Sequence, residues 1–154
     1  MRRIIAALGI VAAAVAIPLV ISSPAYALPT CYRTVNVFVT WGESTPEPVP
    51  SAGSTAASTS CLMGQGAQSS AVTRVQSTLN KCYGEHLTED GIFGSLTKAA
   101  LQRAQRAEGI TGDGVYGPIT RNHLLWWSGG YWGTGTPICG TVDQPVTVGW
   151  PGPQ

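Results

Sequence analysis

An eight-residue pattern occurs twice in this chain, first as DGIFGSLT over Asp90–Thr97 and again as DGVYGPIT over Asp113–Thr120. Each copy has an Asp-Gly pair, an apolar and an aromatic residue, a glycine, then Ser or Pro and an apolar residue before Thr. Asp-Gly pairs are typical of tight turns, and Pro is favoured at the first position of a helix. The repeat therefore predicts two turns, each of which leads the chain into a helix.

Helical periodicity precedes the first copy and follows both. Ser70 is predicted to cap a first helix that ends near Gly84 and has an apolar face of Val72, Val75 and Leu79. A second helix is predicted to stop at Gly109, with an apolar stripe of Leu96, Ala100, Leu101, Ala104 and Ala107. A third runs from Ile119 past Leu125. We predict an all-α fold, a small three-helix bundle with two Asp-Gly turns and irregular, disulfide-tied terminal segments.

Composition divides the chain into four predicted parts: a leader over 1–27, an extension and linker over 28–60, the helical module over 61–127, and a Gly/Trp-rich tail over 128–154. Val35–Val39 alternates as a strand does, whereas the tract after it is rich in Pro, Ser, Thr and Gly. We expect Thr45–Ser60 to be a mobile linker, because it has little apolar surface to offset the entropy of ordering it. For the aromatic tail, packing on the small core and a second contact surface both remain open.

The first residues resemble an export signal. Two arginines precede an apolar run over Ile4–Ile21, and small residues follow up to Ala27, which is the order of a secretory signal peptide. A membrane anchor is the alternative, since the run approaches the roughly 20 residues that span a bilayer. Pro18 and Pro24 argue against it. We expect cleavage after Ala27 and a secreted mature protein without a membrane segment.

Charge argues against a polyanionic partner. Loss of Arg2 and Arg3 with the leader leaves seven basic and eight acidic residues. Nucleic-acid binding depends largely on clustered cations, and most of the remaining ones are scattered: Arg74, Lys81, Lys98, Arg103, Arg106 and Arg121. No nucleic-acid partner is therefore expected.

The four cysteines all lie in the predicted mature chain, which favours two disulfides in an oxidising compartment. A zinc site is the alternative, but no Cys-x-x-Cys pair occurs and His86 and His123 have no recognisable ligand spacing. We predict no metal and no cofactor. Three connectivities are possible, and we favour Cys61–Cys82, around the first helix, with Cys31–Cys139, between the two terminal segments.

The module resembles the peptidoglycan-binding domain family that is appended to bacterial wall hydrolases. The matching positions, in the family's order, are Gly64, Gly66, Val72, Val75, Gln76, Leu79, Asp90, Gly91, Phe93, Gly94, Thr97, Ala100, Leu101, Gln105, Gly109, Ile110, Asp113, Gly114, Gly117, Pro118 and Thr120. Two positions depart from the pattern. Ala104 replaces the usual aromatic residue, and Arg121 replaces a frequent Trp.

The resemblance implies non-covalent binding of peptidoglycan, through its glycan or its stem peptide, in a shallow groove between the helices and the two turns. It implies a cell-wall-associated, extracellular protein. Turn glycines are needed whatever is bound, and Phe93 fits the core better than a sugar platform. The candidate contacts are Asp90, Phe93, Asp113, Tyr116, Arg121, Asn122, Trp126 and Trp127.

Enzyme chemistry has no convincing residue set. A Cys–His hydrolase would need a reduced cysteine near one of the two histidines. A glycosidase needs two carboxylates across a cleft, whereas Glu85, Glu89 and Asp90 lie in a short polar loop. We therefore predict a non-catalytic protein. The alternative function is a secreted interaction module that uses the same fold to bind another secreted protein, such as a hydrolase or its inhibitor.

Overall fold

The computed structural model describes residues 27–38, 46–128 and 138–142. Along the chain, the elements are strands β1 and β2, a short 3-10 helix, helices α1, α2 and α3, and strands β3 and β4. Their bounds are, in the same order, Arg33–Phe38, Pro46–Ser51, Ala56–Thr59, Ser70–Tyr83, Ser95–Ala107, Pro118–His123, Trp126–Ser128 and Ile138–Gly140. The three predicted helices are therefore present.

Helix α1 begins one residue earlier than its predicted cap implies. Ser69, not Ser70, is the N-cap, and its side-chain oxygen accepts a hydrogen bond from the backbone N–H of Val72. The helix ends at Gly84, whose φ of 68° is in the left-handed region that favours glycine. The predicted start and end of α1 are otherwise close to those observed.

Helix α3 is shorter than predicted. It ends at His123, and Leu124 takes an extended conformation with ψ of 140°. The helix does not continue because the backbone N–H of Leu125 donates to the hydroxyl of Tyr83 on α1, at 2.7 Å, and not to a carbonyl of α3. The buried Leu124 side chain and this bond direct the chain onto α1 and then into β3.

The hydrophobic core is centred on α1. Its inward face packs against α2, both aromatic residues of the repeat and the start of β3, and the largest apolar side chains that are fully buried there are Val49, Val72, Val75, Leu79, Phe93, Leu101, Tyr116, Leu124 and Trp126. Val49 comes from β2, so the segment before the module also contributes to this core.

The fold is not purely all-α, which corrects the predicted class. Strands β1 and β2 form an antiparallel pair in which Val35 lies opposite Val49. Strands β3 and β4 form a second antiparallel pair in which Trp127 lies opposite Cys139. Each sheet has two strands, so both strands are edges, where prolines such as Pro48 are tolerated.

The expected mobile linker over Thr45–Ser60 is instead folded from residue 46 onward. Glu47, Val49 and Ser51 are buried at alternate positions of β2. The side chain of Arg74 on α1 donates to the carbonyl oxygen of Pro48 at 2.6 Å. Composition alone missed this strand, because its three buried side chains, its pairing with β1 and the contacts of Arg74 with Pro48 and Glu47 hold it in place.

The disulfides differ from the favoured prediction. Cys31 pairs with Cys61 and Cys82 pairs with Cys139, with Cα atoms 5.2 and 5.8 Å apart. Short backbone pairings explain both, since Cys31 N–H donates to the Leu62 carbonyl at 2.9 Å and Cys139 pairs with Trp127 beside α1. The pairings Cys61–Cys82 and Cys31–Cys139 are therefore wrong.

Several predictions fall outside the described residues. These are the signal peptide up to residue 26, Val39 at the end of the predicted strand, and most of the Gly/Trp-rich tail, at 129–137 and 143–154. Among the helices that the structure does describe, none has the length and apolar character needed to cross a membrane.

Candidate functional site

The second Asp-Gly turn is held by one buried glutamine. The Gln105 amide Nε2 donates to Asp113 Oδ1 at 2.8 Å, to the Val115 carbonyl at 3.0 Å and to Thr120 Oγ1 at 3.1 Å. Its Oε1 accepts from the backbone N–H of Gly114 at 2.8 Å. Gln105 thus joins α2, the turn and the first turn of α3 through a single side chain.

The first turn has the same arrangement around Gln76 of α1. Its Nε2 donates to Asp90 Oδ1 at 2.9 Å, to the Ile92 carbonyl at 3.1 Å and to Thr97 Oγ1 at 3.3 Å. Its Oε1 accepts from Gly91 N–H at 2.9 Å. The sequence repeat is therefore also a repeat of hydrogen bonds.

Both aspartates shape their turns. Asp90 Oδ1 accepts from the backbone N–H of Ile92, and Asp113 Oδ1 accepts from that of Val115. The hydrogen bond from Gln76 and the one from Ile92 hold the pKa of Asp90 below its ordinary value, since they stabilise the carboxylate. One oxygen of each carboxylate is thus used to hold the turn.

The two glutamines were not singled out as functional by sequence reasoning, although a signal for them exists. Gln76 lies among Val72, Val75 and Leu79 on the apolar face of α1, and Gln105 follows Ala104 on that of α2. A polar amide at a core-facing position needs buried hydrogen-bond partners. The Asp-Gly turn that follows each glutamine supplies them.

The segment before α1 places the two turns side by side. Met63 and Tyr116 exchange two backbone hydrogen bonds, at 2.9 and 2.7 Å. Farther along, Phe93 N–H donates to the Ala67 carbonyl and Gly66 N–H donates to the Phe93 carbonyl, both at 2.9 Å. The chain between residues 63 and 67 therefore connects both turns, and the aromatic residue of each turn points into the core.

A depression of about 290 Å³ opens beside the second turn. It lies between the end of α2 and the start of α3, and its lining residues are Gln105, Gly109, Ile110, Thr111, Asp113, Ile119 and Thr120. Ile119 is 67% exposed, so its apolar side chain is open to a ligand in the depression. This depression is the candidate ligand site.

The first turn differs from the second in the length of the chain that connects it to its glutamine. Gln76 and Asp90 are 14 residues apart, whereas Gln105 and Asp113 are 8 apart. The longer connection folds back on α1, since Asn80 exchanges hydrogen bonds with the backbone of Leu87 at 2.7 and 2.9 Å. Leu96, which occupies the repeat position of Ile119, is 76% exposed and does not line the depression.

Three of the predicted contact residues are core residues here. Phe93, Tyr116 and Trp126 are at most 1% exposed, and the Tyr116 and Trp126 rings meet edge to face with centroids 6.1 Å apart. Burial raises the pKa of Tyr116 far above its usual range, so its hydroxyl stays neutral. Their side chains therefore have no surface to offer a ligand in this conformation.

Arg121 is also mostly enclosed, at 7% exposure. Its guanidinium donates to Thr59 Oγ1 and, at 2.9 Å, to the side-chain oxygen of the half-buried Asn122. Burial lowers its pKa. The backbone carbonyl of Arg121 accepts from the Trp126 indole at 3.0 Å, so this residue fixes α3 against β3. Arg121 and Asn122 lie outside the lining of the depression.

Trp127 belongs to a cluster around the buried Arg74. The Arg74 guanidinium donates to the Trp127 carbonyl at 2.8 Å, pairs with Glu47 at 3.4 Å, and lies 5.7 and 5.5 Å from the ring centroids of Trp126 and Trp127. The half-buried Trp127 also donates from its indole to Ser77 Oγ at 3.1 Å. Burial lowers the pKa of Arg74, and the charge of Glu47 opposes that effect. The cluster connects β2, α1 and β3.

Asp90 and Asp113 are the predicted contacts whose side chains are exposed. The structure places them on separate turns and brings Asp113 alone of the predicted set into the lining of the depression. In the described parts of the chain, no three His, Cys, Asp or Glu side chains group together as metal ligands would. None of the other lining residues was predicted as a contact; they are Gln105, Gly109, Ile110, Thr111, Ile119 and Thr120.

Comparisons with known proteins give one family match and two similar solved structures for this region. Residues 68–124 match the model of a family described as putative peptidoglycan binding domain. The solved N-terminal domain of SleB is 31% identical over 40% of this chain and 85% of that one, with a TM-score of 0.37. A peptidoglycan-binding protein from Clostridioides difficile, solved in complex with glutamine hydroxamate, is 27% identical over 49% of this chain, with a TM-score of 0.40. This chain spans 44% of that protein. The comparison with curated proteins gives no match.

Proposed function

The chain contains a domain of the peptidoglycan-binding family, at residues 68–124, and on that premise we propose that it is a secreted protein that binds bacterial cell-wall peptidoglycan without catalysis. Secretion fits the sequence of the first 27 residues and the two disulfides, which persist in oxidising compartments outside the cytoplasm. The proposed role is attachment to the wall through the domain's surface.

The observation that carries the proposal is the depression beside the second turn. It combines exposed Ile119 and half-buried Ile110 with the polar side chains of Thr111 and Asp113. Binding sites for small ligands are typically concave, largely apolar and equipped with a few oriented polar groups. Its frame is rigid, because Gln105 holds Asp113 and Thr120 from within.

The binding surface that we propose consists of Ile110, Thr111, Asp113 and Ile119. Phe93, Tyr116 and Trp126 are excluded from it by their burial. Arg121, Asn122 and Trp127 support the fold around it through the bonds described above. Substitutions at these six residues would test folding more than binding.

The test is co-sedimentation of the oxidised protein, from Leu28 to Gln154, with purified insoluble peptidoglycan. Ile119→Asp places a charge in the depression and is expected to weaken binding about tenfold, which corresponds to ~1.4 kcal/mol. Leu96→Asp is the matched control, since it makes the same change at the same repeat position outside the depression. We expect the control to bind as the unmodified protein does.

Two results would count against the proposal. Failure of the folded, oxidised protein to sediment with wall material from several bacteria contradicts peptidoglycan binding, and a secreted protein partner becomes the function to pursue. Equal weakening by Ile119→Asp and Leu96→Asp contradicts the placement of the site at the second turn. Circular dichroism of each variant shows whether the fold is kept.

A further inference from the structure

We infer that the depression beside the second turn binds an uncharged, hydroxyl-bearing sugar unit of the glycan strand and not a carboxylate of the stem peptide. This inference rests on the proposed function and narrows it to one component of peptidoglycan. It follows from the charges, the hydrogen-bonding groups and the apolar surface that line the depression.

The charge of the lining disfavours an anionic ligand. Asp113 is its one ionisable side chain. Lys98 and Arg106 pack against the turn itself, since a Cβ added at Gly114 would lie 2.6 Å from Lys98 Cγ and one at Gly112 would lie 2.9 Å from an Arg106 Nη. Neither Lys98 nor Arg106 lines the depression. A ligand carboxylate there would face a like charge without the paired cation that usually recognises it.

The polar groups of the lining suit a hydroxyl. Within the described residues, Asp113 Oδ1 accepts two protein hydrogen bonds, from Gln105 and Val115, and Oδ2 accepts none. Oδ2 is therefore available to accept from a ligand hydroxyl or amide N–H. The exposed hydroxyl of Thr111 is bonded to no other described side chain or backbone group, and a hydroxyl both donates and accepts.

The rest of the lining is apolar and small. Ile110 and Ile119 lie at the two ends of the connection between α2 and α3, and the space beside them is about 290 Å³. That volume is at the lower limit of the range, about 300–1,000 Å³, that small-molecule sites occupy. It suits one sugar ring, whose C–H face can pack on an isoleucine and whose N-acetyl methyl group can pack on the other.

The experiment compares two soluble probes with intact wall. Binding of the N-acetylglucosamine tetramer and of a synthetic stem pentapeptide is measured by NMR titration of the oxidised protein, and sedimentation with peptidoglycan is run in parallel. We expect the tetramer to shift the amide signals of Ile110, Thr111 and Ile119, and the pentapeptide to shift none of them. Because the sugar is uncharged, its Kd should hardly change between low and high salt.

Three variants test whether the tetramer binds in the depression. Ile119→Asp should raise the Kd for the tetramer about tenfold or more, on the scale by which apolar pockets discriminate. Asp113→Asn keeps an oxygen acceptor for the turn but removes the charge, and it should weaken tetramer binding by a smaller factor. Leu96→Asp should leave the Kd unchanged.

The other outcomes overturn the inference, and the sedimentation result shows whether the proposed function fails with it. Sedimentation with peptidoglycan combined with binding of the pentapeptide at this site, or with no binding of the tetramer, contradicts sugar recognition but keeps wall binding. Tetramer binding that Ile119→Asp and Leu96→Asp weaken equally also contradicts it. Absence of sedimentation together with absence of tetramer binding removes both the inference and the proposed function.

Discussion

The Gln105 side-chain nitrogen lies 2.8 Å from Asp113 Oδ1, and this bond is the centre of a four-bond network that joins α2, the second turn and α3. The bond between Gln76 and Asp90 does the same in the first turn. Both glutamines are at most 2% exposed. Both turns, including the one beside the depression, are therefore held in place by hydrogen bonds from a buried side chain.

Gln105→Ala should destabilise the protein by about 1–3 kcal/mol, because it leaves the Gly114 N–H and other buried polar groups without partners. Urea denaturation measures the change. Gln65→Ala, at an exposed position, is the control and should be close to neutral. Equal stability of Gln105→Ala and the control would show that the network contributes nothing to folding.

Gly114→Ala should cost more stability than Gly84→Ala. Both glycines have positive φ, 71° and 68°, so each substitution bears the left-handed penalty of about 1–2 kcal/mol. A Cβ at Gly114 would also lie 2.6 Å from Lys98 Cγ and 3.1 Å from the Lys98 carbonyl, whereas one at Gly84 meets nothing within 4 Å. The difference in Tm between the two variants measures the cost of the steric clash at Gly114, because the backbone penalty is common to both. Equal losses would contradict the close approach at Gly114.

Arg74→Met should destabilise the protein by about 3–5 kcal/mol, because it leaves the buried Glu47 carboxylate without its partner. The double variant Arg74→Met, Glu47→Leu removes both charges and should recover part of that loss. Chemical denaturation of the two variants measures the difference. A double variant that is less stable than the single variant would mean that the loss caused by Arg74→Met does not come from the unpaired Glu47 carboxylate.

Peptide mapping without reduction should give two cross-linked pairs, Cys31 with Cys61 and Cys82 with Cys139. Replacing both Cys82 and Cys139 by Ser opens a link between residues 57 positions apart and should cost about 2–5 kcal/mol. Recovery of a Cys61–Cys82 peptide from the folded protein would contradict the structure.

The ion pair of Glu85 with Arg103 should make part of the stability depend on pH. Hydrogen bonds from Arg103, at 2.7 and 2.6 Å, hold the pKa of Glu85 below its ordinary value. A carboxyl with a lower pKa in the folded state contributes stability that is present above its unfolded pKa of about 4.3 and lost as the pH falls through the folded value. The gap in stability between the unmodified protein and Glu85→Gln should therefore narrow below about pH 4.5. Urea midpoints across that range measure it, and a gap that widens toward acid would contradict the pairing.

Much of the helical module could be predicted from sequence, because local signals determine it. The apolar spacing of Val72, Val75 and Leu79 predicts α1, and the Asp-Gly pairs at Asp90 and Asp113 predict the two turns. These features depend on residues close together in the chain. The family resemblance, which rests on the same positions, is confirmed over residues 68–124.

The rest depends on distant contacts. Nothing local in Pro46–Ser51 indicates a strand, since it is held by pairing with β1 and by Arg74 from a helix 26 residues farther along. The disulfide pairs follow from the same packing. Tyr116 and Trp126 are aromatic residues of the kind that stack on sugars, yet both are buried and pack against each other in the core. Asp113 could be identified from the repeat, whereas the depression beside it depends on how α2 and α3 pack.

The Arg74 cluster also limits how this domain can be moved between proteins. An excised piece covering 68–124 would lack Glu47, Trp127 and Cys139, which are the partners of Arg74 and Cys82. The grafted piece would expose apolar surface on α1, and it would leave the Arg74 guanidinium and the Cys82 thiol without their partners. In this chain the unit that could be transferred to another protein is therefore larger than residues 68–124, and a fusion junction placed at either end of that range would remove contacts that stabilise α1.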